Sequence, residues 1–272
     1  MASTETPSRL EAAFRQGRPA LVAYLMGGYP DRAGSLAALR AVAEAGADVI
    51  ELGVPYADPL ADGPVIQHAA EVARAQAGGF GLSETLDLAA EVTAIEGMPP
   101  LVIMTYLNPM MRMRFPVLAG RAAQAGVAGF IVPDLPPDNP MAVLWTREAA
   151  VLGVDTVFLA APTSTPERLS LVGERSSGFV YLVSSLGVTG ERAELPVELT
   201  DLVSRVRAAT RLPVAVGFGV STPEHAAGVA TIADGVIVGS ALVRRQDDPV
   251  ALSEFIGALV SAVHIGHAGT RF

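Results

Sequence analysis

The stretch Ala20-Leu-Val-Ala-Tyr-Leu-Met26 is the clearest of a series of short apolar runs that recur along this chain of 272 residues. It is apolar at nearly every position, not at alternate positions, which is typical of a strand buried on both faces of a parallel sheet. Seven further runs share this character: Val49–Leu52, Leu101–Tyr106, Gly129–Val132, Thr156–Ala160, Gly178–Val183, Val214–Gly217 and Gly235–Val238.

The segments between these runs have helical patterns. Amphipathic or alanine-rich examples are Ser35–Ala45, Val117–Ala125, Pro140–Leu152 and Leu199–Thr210. Alternation of strand and helix predicts a parallel sheet, and eight repeats in a chain of this length favour a closed (β/α)8 barrel. An extra helix is predicted before the first strand, around Ser8–Gln16. Because no linker interrupts the alternation, we expect residues 1–272 to form a single α/β barrel domain.

The composition narrows the chemistry that the chain can perform. It has no cysteine, and all 19 basic residues are arginine. Thiolate nucleophiles, disulfides and lysine Schiff bases are therefore excluded. The four histidines (His68, His225, His264 and His267) form no metal-binding pattern, so no metal site is expected.

The charge and the hydropathy pattern bear on partners and location. A net charge of −9 argues against nucleic acid as the main partner, although backbone N–H groups can still bind one phosphate. No apolar run approaches the ~20 residues that cross a bilayer. The amino terminus lacks a signal-peptide pattern, so we expect a cytoplasmic protein without a membrane anchor.

In a barrel, functional groups lie towards the C-terminal ends of the strands and in the loops that follow. If Ile50 and Leu52 point outward, Glu51 points into the barrel, where loss of solvation raises the pKa of a carboxyl group. Glu51 is then a candidate general acid–base, with a structural carboxylate as an equal alternative. Asp58 and Asp62 follow in a proline-rich loop. Turn chemistry is favoured for Asp58, whereas Asp62 stays open between a turn cap and a chemical function.

Polar residues also follow the third, fourth and sixth predicted strands. Two interpretations suit these residues equally well, ligand contact or hydrogen bonding at the barrel rim. They are Tyr106, Asn108 and Asp134. The segment Ser184–Arg192 contains two glycines and several polar residues, which favours a loop that closes over ligand against an ordinary exposed loop.

The last two predicted strands end in Gly217-Phe-Gly-Val-Ser221 and Gly239-Ser240. Barrels frequently bind phosphate in these two loops, where glycine lets the backbone approach the oxygens. Tight turning without a ligand is the alternative. Two glycine-containing elements in the two expected places favour a phosphate site.

The segment Glu51-Leu-Gly-Val-Pro-Tyr-Ala-Asp-Pro-Leu-Ala-Asp-Gly-Pro-Val-Ile-Gln67 resembles the signature of the tryptophan synthase alpha-chain family almost throughout. The segments Gly129–Pro137, Gly187–Gly190 and Gly217–Ser221 resemble further family segments in the same order, so the resemblance spans nearly the whole chain. It implies a lyase that cleaves indole-3-glycerol phosphate to indole and glyceraldehyde 3-phosphate, a retro-aldol reaction of L-tryptophan biosynthesis.

The resemblance also implies functions for individual residues. Glu51 is the general acid–base that protonates indole C3, and Asp62 is the carboxylate that interacts with the ring nitrogen. The remaining implied positions are Tyr106, Ile131 and Tyr181 lining the pocket, Thr189 on the closing loop, and Gly190, Phe218, Gly219, Gly239 and Ser240 at the phosphate.

A partner is implied as well, a beta chain in an alpha2-beta2 heterotetramer. Pyridoxal phosphate is expected only in that beta chain, and no cofactor in this one. Two alternatives remain: a stand-alone lyase that releases indole without a beta chain, and a non-catalytic barrel that activates a partner.

The sequence departs from the commoner family pattern at three positions. The departures at Met26 and Tyr29 bear on loop closure, and Tyr56 stands where phenylalanine is frequent.

Overall fold

The computed structural model describes residues 6–60, 62–184, 197–217 and 219–266. Its strands are β1 (Ala20–Met26), β2 (Val49–Gly53), β3 (Leu101–Met104), β4 (Gly129–Ile131), β5 (Asp155–Val157), β6 (Leu159–Ala160), β7 (Val180–Val183), β8 (Val214–Gly217) and β9 (Gly235–Val238). Its helices are α1 (Arg9–Ala13), α2 (Arg32–Glu44), α3 (Pro64–Arg74), α4 (Leu82–Thr93), α5 (Leu107–Met113), α6 (Phe115–Gln124), α7 (Pro140–Val151), α8 (Pro166–Arg175), α9 (Val197–Ala209), α10 (Pro223–Ala230), α11 (Ser240–Val243) and α12 (Pro249–Gly266). Within the described ranges, no helix is both long and apolar enough to cross a membrane.

The strands form one parallel sheet in the order β5-β4-β3-β2-β1-β9-β8-β7-β6. β5 and β6 are two pieces of one strand separated by Phe158, so the two ends of the sheet meet there. The N–H of Tyr181 donates to the Phe158 carbonyl at 3.2 Å, which ties this break to β7. The predicted (β/α)8 barrel is confirmed, although the predicted continuous strand Thr156–Ala160 is wrong.

Each strand divides its side chains between two cores, because successive residues face opposite sides. Ile50 and Leu52 of β2 pack outward among the helices. Val49 of β2, Tyr24 of β1 and Val102 of β3 pack together inside the barrel. Burial on both faces explains why these strands are apolar at nearly every position.

The predicted extra helix is confirmed as α1, which packs against the N-terminal end of the barrel. Ser8 caps it by accepting a hydrogen bond from the Glu11 N–H at 3.1 Å. The ring of Phe14, just after α1, lies 4.8 Å from that of Phe179, centroid to centroid. The helix is shorter than predicted, and the chain turns at Gly17 (φ +74°) before it enters β1.

A buried carboxylate, Asp48, connects several elements at this same end. Its oxygens accept hydrogen bonds from the Arg18 guanidinium at 2.7 and 2.9 Å and from the Leu21 N–H at 2.8 Å. Nε2 of His264, on α12, lies 3.1 Å away. Asp48 therefore joins the start of β2 to β1 and to the last helix.

Trp145 is the largest fully buried side chain and lies on α7, outside the strands. Its ring makes edge-on contacts with Phe130 of β4 and Phe115 of α6, with centroids 5.0 and 5.7 Å apart. This aromatic cluster packs two helices onto one side of the barrel.

Candidate active site

A cavity of about 340 Å³ opens towards the C-terminal ends of β1, β2, β3, β7 and β9. Its lining residues are Tyr24, Glu51, Leu60, Asp62, Gly63, Ile66, Met104, Tyr181, Ile237, Gly239 and Ser240. A mostly apolar cavity with two carboxyl groups suits a ligand that has an apolar body and a few polar groups. Among the described residues, no group of three or more His, Cys, Asp or Glu is placed to hold a metal.

Glu51 faces into this cavity from β2, opposite Tyr24 of β1 and Val102 of β3. Its exposed fraction is 0%, and neither carboxyl oxygen has a hydrogen-bond partner in the part of the chain that the structure describes. Burial, with a smaller contribution from the nearby Asp62, raises the pKa of Glu51 to about 8. Glu51 therefore holds its proton at neutral pH, and no described neighbour satisfies it as a structural carboxylate.

Asp62 reaches the same cavity from the loop before α3. Burial raises its pKa to about 6, although a hydrogen bond from the Tyr106 side chain acts in the opposite direction. Its backbone carbonyl accepts a hydrogen bond from Gln67 Nε2 at 2.7 Å. The N-cap of α3 is Gly63, so the Asp62 side chain does not cap this helix. Asp58 is exposed and lies outside the cavity lining, in keeping with its interpretation as a turn residue.

Two buried tyrosines, Tyr24 and Tyr181, line the cavity beside the carboxyl groups. Burial and the two nearby carboxyl groups raise the pKa of each tyrosine well above its usual value, so both stay neutral. Each ring leans over a glycine. A Cβ added at Gly53 would lie 2.2 Å from the Tyr24 hydroxyl oxygen, and one at Gly217 would lie 2.5 Å from that of Tyr181. Glycine at these two positions makes room for the tyrosine rings.

The glycines predicted to bind phosphate divide into two groups. Gly239 and Ser240 line the cavity, and Gly239 is the N-cap of the short helix α11. Gly219 has a left-handed backbone (φ +88°) after β8 and is not part of the cavity lining.

Ile131 lies in the barrel interior with Tyr181 but, unlike Tyr181, does not line the cavity. Three predicted positions lie outside the described residues: Thr189, Gly190 and Phe218.

The remaining candidates form the rim beside Asp62. Asp134 accepts a hydrogen bond from the Leu107 N–H at 2.8 Å, at the start of α5. Nδ2 of Asn108 donates to the Tyr56 hydroxyl at 3.0 Å. The Tyr56 ring stacks on that of Tyr106, with centroids 5.2 Å apart and planes at 29°. Of the two interpretations, ligand contact and hydrogen bonding at the barrel rim, these contacts of Asn108 and Asp134 fit the second.

Sequence reasoning missed several lining residues. Tyr24 and Met104 could have been found, because the alternation that points Glu51 inward applies equally to β1 and β3. Leu60 and Ile66 lie in the loop before α3 and in α3 itself. No strand alternation applies there, and only the folded path of the loop brings them to the cavity.

The chain is similar to known proteins over nearly its whole length. A family model for the tryptophan synthase alpha chain matches residues 10–256. The tryptophan synthase alpha chain of Phenylobacterium zucineum is 45% identical over 259 residues, covering 94% of this chain and 92% of that one. That of Dehalococcoides mccartyi is 45% identical over 244 residues, covering 89% and 93%. A chain in a solved structure of Mycobacterium tuberculosis tryptophan synthase superposes with a TM-score of 0.87 at 42% identity, covering 95% and 99%. This chain therefore belongs to the tryptophan synthase alpha-chain family.

Proposed function

We propose that Glu51 transfers the proton, and that Asp62 stabilises the resulting charge, as this chain cleaves its substrate. As a member of its family, the chain is a lyase that splits indole-3-glycerol phosphate into indole and glyceraldehyde 3-phosphate in L-tryptophan biosynthesis. One observation carries the assignment of residues. The carboxyl group of Glu51, buried and without a hydrogen-bond partner among the described residues, faces a cavity that it shares with a second carboxyl group, that of Asp62.

Glu51 supplies the proton that starts the cleavage. Because it is protonated at neutral pH, it can transfer that proton to indole C3, which leaves the positive charge on the ring system. The bond from C3 to the glycerol side chain then breaks, and its electron pair returns to the ring. The former alcohol carbon becomes an aldehyde as its hydroxyl proton passes to the Glu51 carboxylate. Glu51 ends the step protonated, and no imine or metal takes part.

Asp62 stabilises the charge that this step creates. A pKa of about 6 leaves it ionised at neutral pH, so it can accept a hydrogen bond from the indole N–H. Its attraction for the positive ring is greatest after C3 is protonated, and selective stabilisation of that state lowers the barrier. Tyr106 holds the carboxylate in its ionised form by donating a hydrogen bond.

The phosphate is proposed to lie at the other end of the cavity, at Gly239 and Ser240. The first backbone N–H groups of a helix have no partner within that helix and attract anions. Gly190, Phe218 and Gly219 remain proposed contacts of the phosphate. Tyr181 and Ile131 are proposed to contact the indole ring, and Thr189 to act in loop closure beside Asp62.

Alpha chains of this family pair with a beta chain in an alpha2-beta2 complex, and the pyridoxal phosphate belongs to the beta chain. We propose that this chain itself binds no cofactor, which is in keeping with its lack of lysine. A cytoplasmic location is part of the same proposal and is supported by the family's place in amino-acid biosynthesis.

The test is indole release from indole-3-glycerol phosphate by the purified chain, alone and with a beta chain. We expect Glu51→Gln and Asp62→Asn each to lower kcat by about 100-fold or more while circular dichroism stays unchanged. Strong activation by the beta chain supports a subunit of the complex, and full activity alone supports a stand-alone lyase. Indole release by Glu51→Gln near the wild-type rate would overturn the assignment.

A further inference from the structure

Tyr56 links the outer rim of the cavity to Asp62. Its hydroxyl accepts a hydrogen bond from the exposed Asn108 at 3.0 Å. Its ring stacks on that of Tyr106, whose exposed fraction is only 3%. Tyr106 in turn hydrogen-bonds the Asp62 carboxylate. Four side chains thus form one continuous path from a surface amide to a carboxylate at the cavity.

The backbone on both sides of this path is held separately. The Leu107 N–H donates to Asp134 at 2.8 Å, which fixes the chain directly after Tyr106. The Asp62 carbonyl is held by Gln67 at 2.7 Å. With the backbone fixed, the direction of the Tyr106 hydroxyl depends on where its ring lies. One face of that ring is covered by Tyr56, and offset stacking of this kind restrains an aromatic side chain.

The ring and the hydroxyl of Tyr56 make separate contacts: the ring stacks on Tyr106, and the hydroxyl accepts the hydrogen bond from Asn108. A phenylalanine could stack on Tyr106 in the same way. It could not accept the hydrogen bond from Asn108, because its ring has no oxygen. The contact between Tyr56 and Asn108 therefore adds an outer restraint to the stacked pair.

We propose that Tyr56 is a positioning residue for Asp62: restrained by Asn108, it holds the Tyr106 ring so that the Tyr106 hydroxyl stays on the Asp62 carboxylate. The inference rests on the proposed function, in which the ionised form of Asp62 stabilises the indole ring. A hydrogen bond to a carboxylate favours the ionised form. Loss of the restraint therefore moves the ionisation of Asp62 to higher pH, and activity on the acidic side of the pH profile falls with it.

The experiment is the pH dependence of kcat for indole release by the full chain in complex with a beta chain. We expect Tyr106→Phe to move the acidic limb to higher pH by about one unit, as loss of a charge-assisted hydrogen bond implies. Tyr56→Leu moves it in the same direction by less, and Tyr56→Phe, which keeps the stack, by less again. KM for indole-3-glycerol phosphate stays close to the wild-type value in both Tyr56 variants.

A double variant decides whether Tyr56 acts through Tyr106. If it does, Tyr56→Leu has no further effect on the acidic limb once Tyr106→Phe is present. An equal displacement in both backgrounds, or no displacement at all, overturns the proposal. Asn108→Ala, at an exposed site, is the second route should Tyr56→Leu fail to fold. Asn108→Ala should move the acidic limb of the kcat profile to slightly higher pH in the wild-type chain. It should have no such effect in Tyr56→Phe, which lacks the hydroxyl that Asn108 contacts.

Failure of the underlying function has a different signature. In that case Asp62→Asn would retain the wild-type rate, and its pH profile would match that of the wild-type chain. Failure of the positioning proposal alone leaves the large effect of Asp62→Asn intact, together with the displacement caused by Tyr106→Phe.

Discussion

Asp48, just before strand β2, and Glu51, within it, are both buried carboxyl groups. They differ in their hydrogen bonding. Asp48 lies at the N-terminal end, where Arg18, Leu21 and His264 surround its oxygens. Glu51 lies further along the strand, facing the cavity, with no hydrogen-bond partner among the described residues. Buried polar groups in proteins are nearly always hydrogen-bonded, so the exception needs an explanation. Both carboxyl groups are buried, so what distinguishes them is that Asp48 has hydrogen-bond partners and Glu51 has none among the described residues.

The largest expected effect is on the rate of Glu51→Gln. We expect kcat to fall by about 10²- to 10⁴-fold, because the amide cannot deliver a proton. The free energy of unfolding at pH 8 should rise, because the unfolded chain no longer gains from ionising this group. Rates of indole release and urea unfolding curves measure the two effects. A large loss of stability with little loss of rate would mean that Glu51 resembles Asp48.

Asp48→Ala is expected to show the reverse behaviour. Removing Asp48 takes the carboxylate from the partly exposed Arg18 and leaves the buried Leu21 N–H without this acceptor, so the free energy of unfolding should fall by about 3 kcal/mol. kcat measured at low temperature, where the variant stays folded, should be nearly unchanged. Asp48→Asn is the matched control, because its amide oxygen can still accept the Leu21 hydrogen bond. A loss of kcat comparable with that of Glu51→Gln would remove the distinction between the two positions.

The pH dependence of stability sharpens the comparison further. The pKa of Glu51 is about 8 in the folded chain, against 4.5 for an ordinary glutamate. Between these values the folded chain keeps a proton that the unfolded chain has lost. Raising the pH therefore lowers the free energy of unfolding, by about 1.4 kcal/mol per pH unit. Glu51→Gln should remove this slope above pH 6, whereas Asp48→Ala should leave it in place.

The smallest expected effect separates the donors around Asp48. His264→Ala should lower the free energy of unfolding by about 1 kcal/mol, the contribution of one hydrogen bond. Arg18→Ala should cost more, because it leaves the buried carboxylate without its two shortest side-chain contacts. Chemical denaturation of both variants at pH 7 measures the difference. Equal costs would show that the guanidinium is no better a partner than the imidazole.

How far the sequence alone could lead depends on where each residue lies. Strand alternation predicts that Glu51 points inward, because β2 is regular and its neighbours are apolar. Asp62 needed the family resemblance, since its place in the cavity depends on the path of a loop that no local pattern specifies. No local pattern predicts the contacts of Asp48, because its partners come from distant positions 18, 21 and 264. The break at Phe158 was equally hidden, because the run Thr156–Ala160 is continuously suited to a strand.

Trp145 gives the protein an intrinsic fluorescent reporter of one side of the barrel. It is the only tryptophan in the chain, it is fully buried between Phe115 and Phe130, and it is not among the cavity-lining residues. Its emission therefore comes from apolar surroundings in the folded chain and moves to longer wavelength when α7 separates from β4. Fluorescence can thus follow the unfolding of this region from a position outside the cavity lining.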